Sequence, residues 1–458
     1  MLFNTWSFVV FFTLFAGGFY LLRERKNGRL VWLLAGSYFF YGFLDVRFLL
    51  PLLATTVVDF FAGKGIARRK HPKLFLFLSL FVDLGILCTF KYLNFFTENL
   101  QTLFDAAGWD IELPESELLL PVGISFYTFQ SLSYTFGVYW KKCRPEHNFL
   151  RYAAFTAMFP QILAGPIERA KNLLPQLKHK PVIRLLDIQD GISLFIAGLF
   201  KKAVMADMIS VYVNTVYADI SGYSSVSVLL AAFFYSWQIY FDFSGYSDMA
   251  RGVARMLGFR LMLNFDNPYT AADVREFWRK WHISLSSWFK DHIYIPMGGG
   301  RCVKYRVWWN IMVTMVVSGF WHGAAWNFII WGALNGLGSV VSPRSDKNNW
   351  YGKIPRVFRQ LFTFIFITVT WIFFRLGTTE EAVAVLKKSV SFQAGTTLIP
   401  AIPLLLTLII WIWQLIYDSN WKKYLEIRPV RTVALFLMLI LLLFLSGGGH
   451  EQFIYFQF

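Results

Sequence analysis

The stretch Lys64–Glu117, KGIARRKHPKLFLFLSLFVDLGILCTFKYLNFFTENLQTLFDAAGWDIELPESE, decides the fold class. Its first ten residues carry five Lys and Arg and no acid. An apolar run then fills 74–96, and residues 97–118 hold six carboxylates and no base. About 20 apolar residues cross a bilayer as one helix, and Lys and Arg mark the loops that stay in the cytoplasm. The stretch therefore reads as a membrane span with its basic end inside and its acidic end outside.

Working outward, the alternation continues. RERKNGR (23–29) and KKCRPEHNFLR (141–151) are basic, whereas the turn near Asp45 and Arg47 is neutral. This places the N-terminus outside, and the first apolar segment, with no basic region before it and no A-x-A site, reads as a retained helix. Apolar runs recur from 6–22 to 431–446. The chain is 56% hydrophobic and 16% charged, against roughly 25% charged for a soluble protein. The expectation is an all-α polytopic membrane protein: one integral domain over 1–458, with about eleven spans and re-entrant pieces. Two segments, 119–140 with Pro121 and Gly123 and 151–166 with Pro160 and Gly165, are too interrupted for plain spans. They read as kinked helices or as the lining of a pocket.

The net charge of +16 is spread over short loop clusters, which favours anionic lipid and a polyanionic thioester over nucleic acid. Cys88, Cys143 and Cys302 form no metal or disulfide spacing. MGGGR (297–301) lacks the Lys-Ser/Thr of a phosphate loop, and His282 with His322 offers too few ligands for zinc. The sequence implies no bound metal and no permanently bound cofactor.

Chemistry concentrates in about 235–340. Asp242 and Asp248, six apart, do not share a helix face, and they suit capping or pairing with Arg251 or Arg255. Arg275, Arg279 and Lys280 place two bases on one helix face, as a lipid anchor or as contacts to the phosphates of a nucleotide-type donor; Arg and Lys up to 306 share that option. His322 stands in VVSGFWHGAAWNFIIWGALNG (316–336), an apolar stretch in which it is the one ionisable residue. A titratable ring at membrane depth is a functional candidate, and a buried imidazole stays neutral, the form a general base needs. Ser318, Gly319, Gly323, Ala324 and Ala325 leave room for substrate or for close helix packing, and Trp321 and Trp326 suit the walls of a slot.

Six motifs together resemble the membrane-bound O-acyltransferase family, and within it the bacterial alginate O-acetyltransferase branch. They are LLPVGISFYTFQSLSY (119–134), FPQILAGPIERA (159–170), FDFSGYSDMARG (241–252), NFDNPYTAADVREFWRKWHISLSSWFKDHIYIPMGG (264–299), SGFWHGAAWNFIIWGALNG (318–336) and FIYFQF (453–458). One departure is Gly300, where the family commonly has Asn. The resemblance implies a ring of helices around a thinned centre with a tunnel joining the two faces. It places the catalytic histidine on His322 and a second motif histidine on His282. It implies a cytoplasmic acyl thioester donor, acetyl-CoA, and an external polysaccharide hydroxyl as acceptor, reached through an extracytoplasmic partner acyltransferase, in a bacterial inner membrane. The alternatives are D-alanyl transfer to teichoic acid within the same fold, and a transporter that uses the two histidines as relays.

Overall fold

A computed structural model of the chain describes residues 1–342, 351–446 and 453–454. Of the motif at the C-terminus, residues 455–458 lie outside the described set. Helices account for the secondary structure of the described residues, apart from one isolated bridge between Tyr223 and Thr396.

Packing divides the chain into two units, Met1–Phe195 with Ala250–Met262 and Ile196–Met249 with Leu263–Phe458. In the first, the stretch that decided the fold class is a continuous helical rod, Pro72–Ala106, whose apolar side chains Phe77, Phe81 and Phe96 point outward. An outward face of that kind suits lipid and not water. Five helices are long and apolar enough to cross a membrane: Val46–Ala67, Pro72–Ala106, Ser225–Met256, Arg356–Arg375 and Arg428–Leu445. Trp6–Leu22 and Ala401–Tyr417 are apolar but shorter. Other expected runs are assembled from short pieces, so length alone does not mark them as spans.

The two interrupted segments behave as their Pro and Gly residues require. Helix Ile124–Tyr139 starts at Gly123, which has φ +79°, and a Cβ there would meet the carbonyl of Ile162. Pro160 and Gly165 leave 151–166 as helix Phe149–Ala157, a single turn Phe159–Ile162 and irregular chain. Side chains satisfy the freed backbone: Gln161 (2.9 Å) and Gln130 donate to Phe155 O, and Phe159 N–H donates to Ser37 Oγ (3.1 Å). Irregular backbone buried in protein needs such partners. The segments thus meet backbone to backbone.

In the second unit, aromatic rings dominate the core, with Trp237, Tyr269, Trp281, Trp331 and Trp371 buried. The apolar run 307–342 is a helical hairpin, Lys304–His322 and Trp326–Val341, broken immediately after His322. Gly319 permits the hairpin, since a Cβ there would collide with the Phe328 carbonyl.

Candidate active site

His322 closes its helix. Its ring makes T-shaped contacts with Trp321 (4.9 Å between centroids), Trp331 (5.1 Å) and Phe374 (5.2 Å). The small residues nearby were open between substrate room and helix packing. Gly319 serves packing, and a Cβ at Gly323 would strike the Phe328 ring. Trp321 is a wall of the site as expected, but Trp326 is 59% exposed and is not. Trp331 and Phe374 take its place, brought in from the hairpin's second arm and from helix Arg356–Arg375. Sequence reasoning missed both, because nothing local ties them to His322.

His282 reaches the same indole. Its ring lies 6.3 Å from that of Trp321 and 4.6 Å from that of Phe243, edge to face. It sits at the N-cap of helix Ile283–Phe289 with φ +41°, a left-handed conformation costly for a residue with a Cβ. Asn264 holds it there. The Asn264 Oδ1 receives the backbone N–H of Ser284 (3.3 Å) and the Ser284 hydroxyl (2.9 Å), while Nδ2 donates to Ser247 Oγ (3.1 Å). A backbone N–H only donates, so this amide orientation is fixed. His282 Nδ1, 3.0 Å from the same oxygen, must then carry its proton, and Nε2 carries the lone pair. Burial pushes the His282 pKa down from 6.5 to about 3, which keeps the ring neutral. Asn264 stands in a quoted motif, but its role depended on a contact eighteen residues away.

Asp242 and Asp248 meet lysines with which the sequence reading did not pair them. Asp242 meets Lys202 Nζ at 2.8 Å and accepts from the N–H of Ile454 at 2.8 Å. Lys202 also holds Asp207 (2.8 Å), and Asp248 pairs with Lys201 (2.7 Å). Arg255 pairs instead with Asp187 at 2.9 Å. The reason is register: Lys201 and Lys202, on a π-helical turn, are presented to the helix that carries both acids. Phe453, from the C-terminal motif, packs 5.8 Å from Phe243, the ring that walls His282.

A cleft of about 1360 Å³ opens beside Arg275, Arg279, Tyr294, Gly300, Lys304 and Trp308. The three basic candidates divide there. Arg279 and Arg275 line the cleft, but Arg275 also donates to Ser339 O (2.7 Å) and Val340 O (3.3 Å), closing the end of helix Trp326–Val341. Lys280 is not among the lining residues, and it pairs with Asp418 at 3.0 Å. A Cβ at Gly300 would lie 3.3 Å from Tyr294 Oη, so the residue that departs from the family pattern widens this cleft. The helix that begins at Lys304 in the cleft ends at His322, ~27 Å away for its 19 residues at 1.5 Å each.

Residues 141–343 match the family model of MBOAT, the membrane-bound O-acyltransferase family. The chain is 38% identical to the probable alginate O-acetylase AlgI of Azotobacter vinelandii, over 81% of this chain and 74% of that protein. It is 34% identical to the peptidoglycan O-acetyltransferase of Helicobacter pylori, over 86% and 80%. A teichoic acid D-alanyltransferase of Streptococcus thermophilus is 30% identical over 49% and 57%.

Proposed function

The chain belongs to the membrane-bound O-acyltransferase family and is a multi-pass O-acyltransferase, and from that premise we propose that it moves an acetyl group from a cytoplasmic thioester, acetyl-CoA, to a hydroxyl of an exported or cell-surface polysaccharide. His322 is the general base. It takes the proton of the acceptor hydroxyl as that oxygen attacks the thioester carbonyl. The C–S bond breaks, and the departing thiolate is reprotonated. General base catalysis of this kind contributes about 10²–10⁴-fold.

One observation carries the reading: a single helix leads from a basic cleft to an imidazole packed on the same indole as a second, tautomer-fixed histidine. Lys304 and Arg279 are placed for the donor's phosphates, with Arg275 shared between donor and helix end. The cleft reaches Ile311, which leaves roughly 16 Å of helix for an extended thioester arm to cover. His282, with its proton on Nδ1, orients a hydroxyl by accepting at Nε2; a neutral ring in this tautomer has no proton there for an oxyanion. Acetyl is favoured over D-alanyl because the similarity to the acetyl-transferring relatives extends over more of the chain. The site belongs to the bacterial inner membrane, with an extracytoplasmic acyltransferase as the acceptor's carrier.

The test uses purified protein with labelled acetyl-CoA, following thioester cleavage and label transfer to saccharide acceptors. His322→Ala abolishes transfer while the protein stays inserted and folded, and His282→Ala causes a large loss. Transfer by His322→Ala at the parent rate would remove His322 from the chemistry.

A further inference from the structure

Asn327 opens the second arm of the hairpin that carries His322. Its side chain is 3% exposed, yet both ends of the amide are used, and by a distant segment. Nδ2 donates to the Leu376 carbonyl at 2.7 Å, and Oδ1 accepts the Thr379 hydroxyl at 2.9 Å. A carbonyl only accepts, so the orientation of the amide is fixed. Leu376 follows the last turn of helix Arg356–Arg375 in extended backbone, where carbonyls lack helical partners. The turn itself is braced, since Glu381 Oε2 accepts the N–H groups of Gly377 (3.2 Å) and Thr378 (3.3 Å).

The two segments joined by this amide are the ones that supply rings to His322. Trp331 stands one turn after Asn327 on the same helix face, and its ring lies 5.1 Å from the imidazole. Phe374 lies just before Leu376, and its ring is 5.2 Å from the imidazole. Phe328, next to Asn327, packs on Phe374 at 5.0 Å. Irregular chain separates His322 from helix Trp326–Val341, so the hairpin backbone alone does not fix the imidazole against these rings. An apolar contact tolerates sliding, whereas a buried amide with donor and acceptor both satisfied specifies one register.

Position separates this clasp from donor binding. The other end of helix Trp326–Val341 lines the basic cleft, ~24 Å away for its 16 residues at 1.5 Å each, and Arg275 holds it there.

Resting on the proposed acyl transfer, we infer that Asn327 is a positioning residue. Its amide ties the segment that carries Trp331 to the segment that carries Phe374, and so fixes the His322 ring while touching no substrate itself.

Two measurements on the purified full-length protein test this. In acetyl transfer from acetyl-CoA to a saccharide acceptor, Asn327→Asp keeps the shape and the accepting oxygen of the amide and loses its N–H donor. It lowers kcat on the order of 10- to 100-fold and leaves KM for acetyl-CoA unchanged. Thr379→Val removes the other hydrogen bond and lowers kcat less, and Thr379→Ser, which keeps the hydroxyl, retains the parent value. The second measurement reads the ring without turnover: diethyl pyrocarbonate modifies accessible imidazoles, and mass spectrometry times the modification of His322. The parent's ring is 4% exposed and reacts slowly. Asn327→Asp reacts about 10-fold faster, and Thr379→Ser reacts at the parent rate. Parent-like kcat in Asn327→Asp, a donor KM that rises as kcat falls, or equal modification rates in the parent and Asn327→Asp overturns the positioning role. If Asn327→Asp does not fold, the two Thr379 variants decide on the same terms. A parent that transfers no acetyl group sinks the proposed activity alone, and the modification rates then decide the role of Asn327.

Discussion

Asn264 is the sharpest place to press on the site, because one amide sets both the posture and the protonation of His282. Replacement by Ala removes Oδ1 and leaves His282 Nδ1–H and Ser284 N–H without their acceptor. Both Asn264 and His282 are 1% exposed, so solvent does not replace the lost partner. Each orphaned buried donor costs about 1–3 kcal/mol, giving roughly 2–6 kcal/mol for the pair. The left-handed backbone at His282 then loses the bonds that hold it. In the transfer assay, a misplaced and tautomer-free His282 lowers kcat/KM on the order of 10²-fold. Asn264→Asp is the companion. It keeps the acceptor and adds charge, which raises the basicity of His282 by about 1–3 pH units. Protonation fills Nε2, so activity falls on the acid side and recovers at higher pH. Thermal unfolding in detergent and a pH profile of acetyl transfer measure both effects. If Asn264→Ala unfolds earlier but transfers at the parent rate, or if Asn264→Asp leaves the acid limb in place, the orienting role of His282 is wrong.

Three further outcomes follow from buried features. Lys202→Met strands the carboxylates of Asp207 and Asp242, and breaking a buried pair from one side costs about 3–5 kcal/mol; the drop is read in unfolding midpoint and folded yield. Burial raises the Glu168 carboxyl from 4.5 to about 7, so the folded state binds that proton more tightly than the unfolded chain. Its contribution is full below the unfolded value and is lost as pH rises through about 7. The parent's midpoint therefore declines from about pH 5 to about pH 8 more steeply than that of Glu168→Gln, and identical slopes would contradict this. Gly319→Val drives a side chain into the Phe328 carbonyl, and backbone cannot swing aside as a side chain does. The hairpin opens, and transfer activity disappears along with compact folding, as judged by gel filtration and activity.

Local chemistry made the membrane character legible. A run such as 74–96 between a basic and an acidic loop is marked by composition alone, because transfer of side chains from water to lipid depends on residue type and run length. The irregular chain after Pro160 and the turn at Gly123 follow from Pro and Gly in the same way, whereas the break after His322 lies inside an apolar run that composition does not divide. The motif set also marks the family, and His322 and His282 stand out from the sequence alone.

What the tertiary structure decided are the partners. Asp242 and Asp248 meet Lys202 and Lys201, far away in sequence, because a π-helical turn presents those lysines to the helix that carries the acids. Arg275, Arg279 and Lys280 look alike in a row, yet packing put two on a cleft and sent the third to Asp418. Phe374 joined His322 from a distant helix, and Trp331 and Asn264 reached the histidines through a hairpin and a turn that linear spacing does not show. Pairing of this kind is a competition among all groups the fold brings within a few ångströms, and no window of sequence contains the competitors.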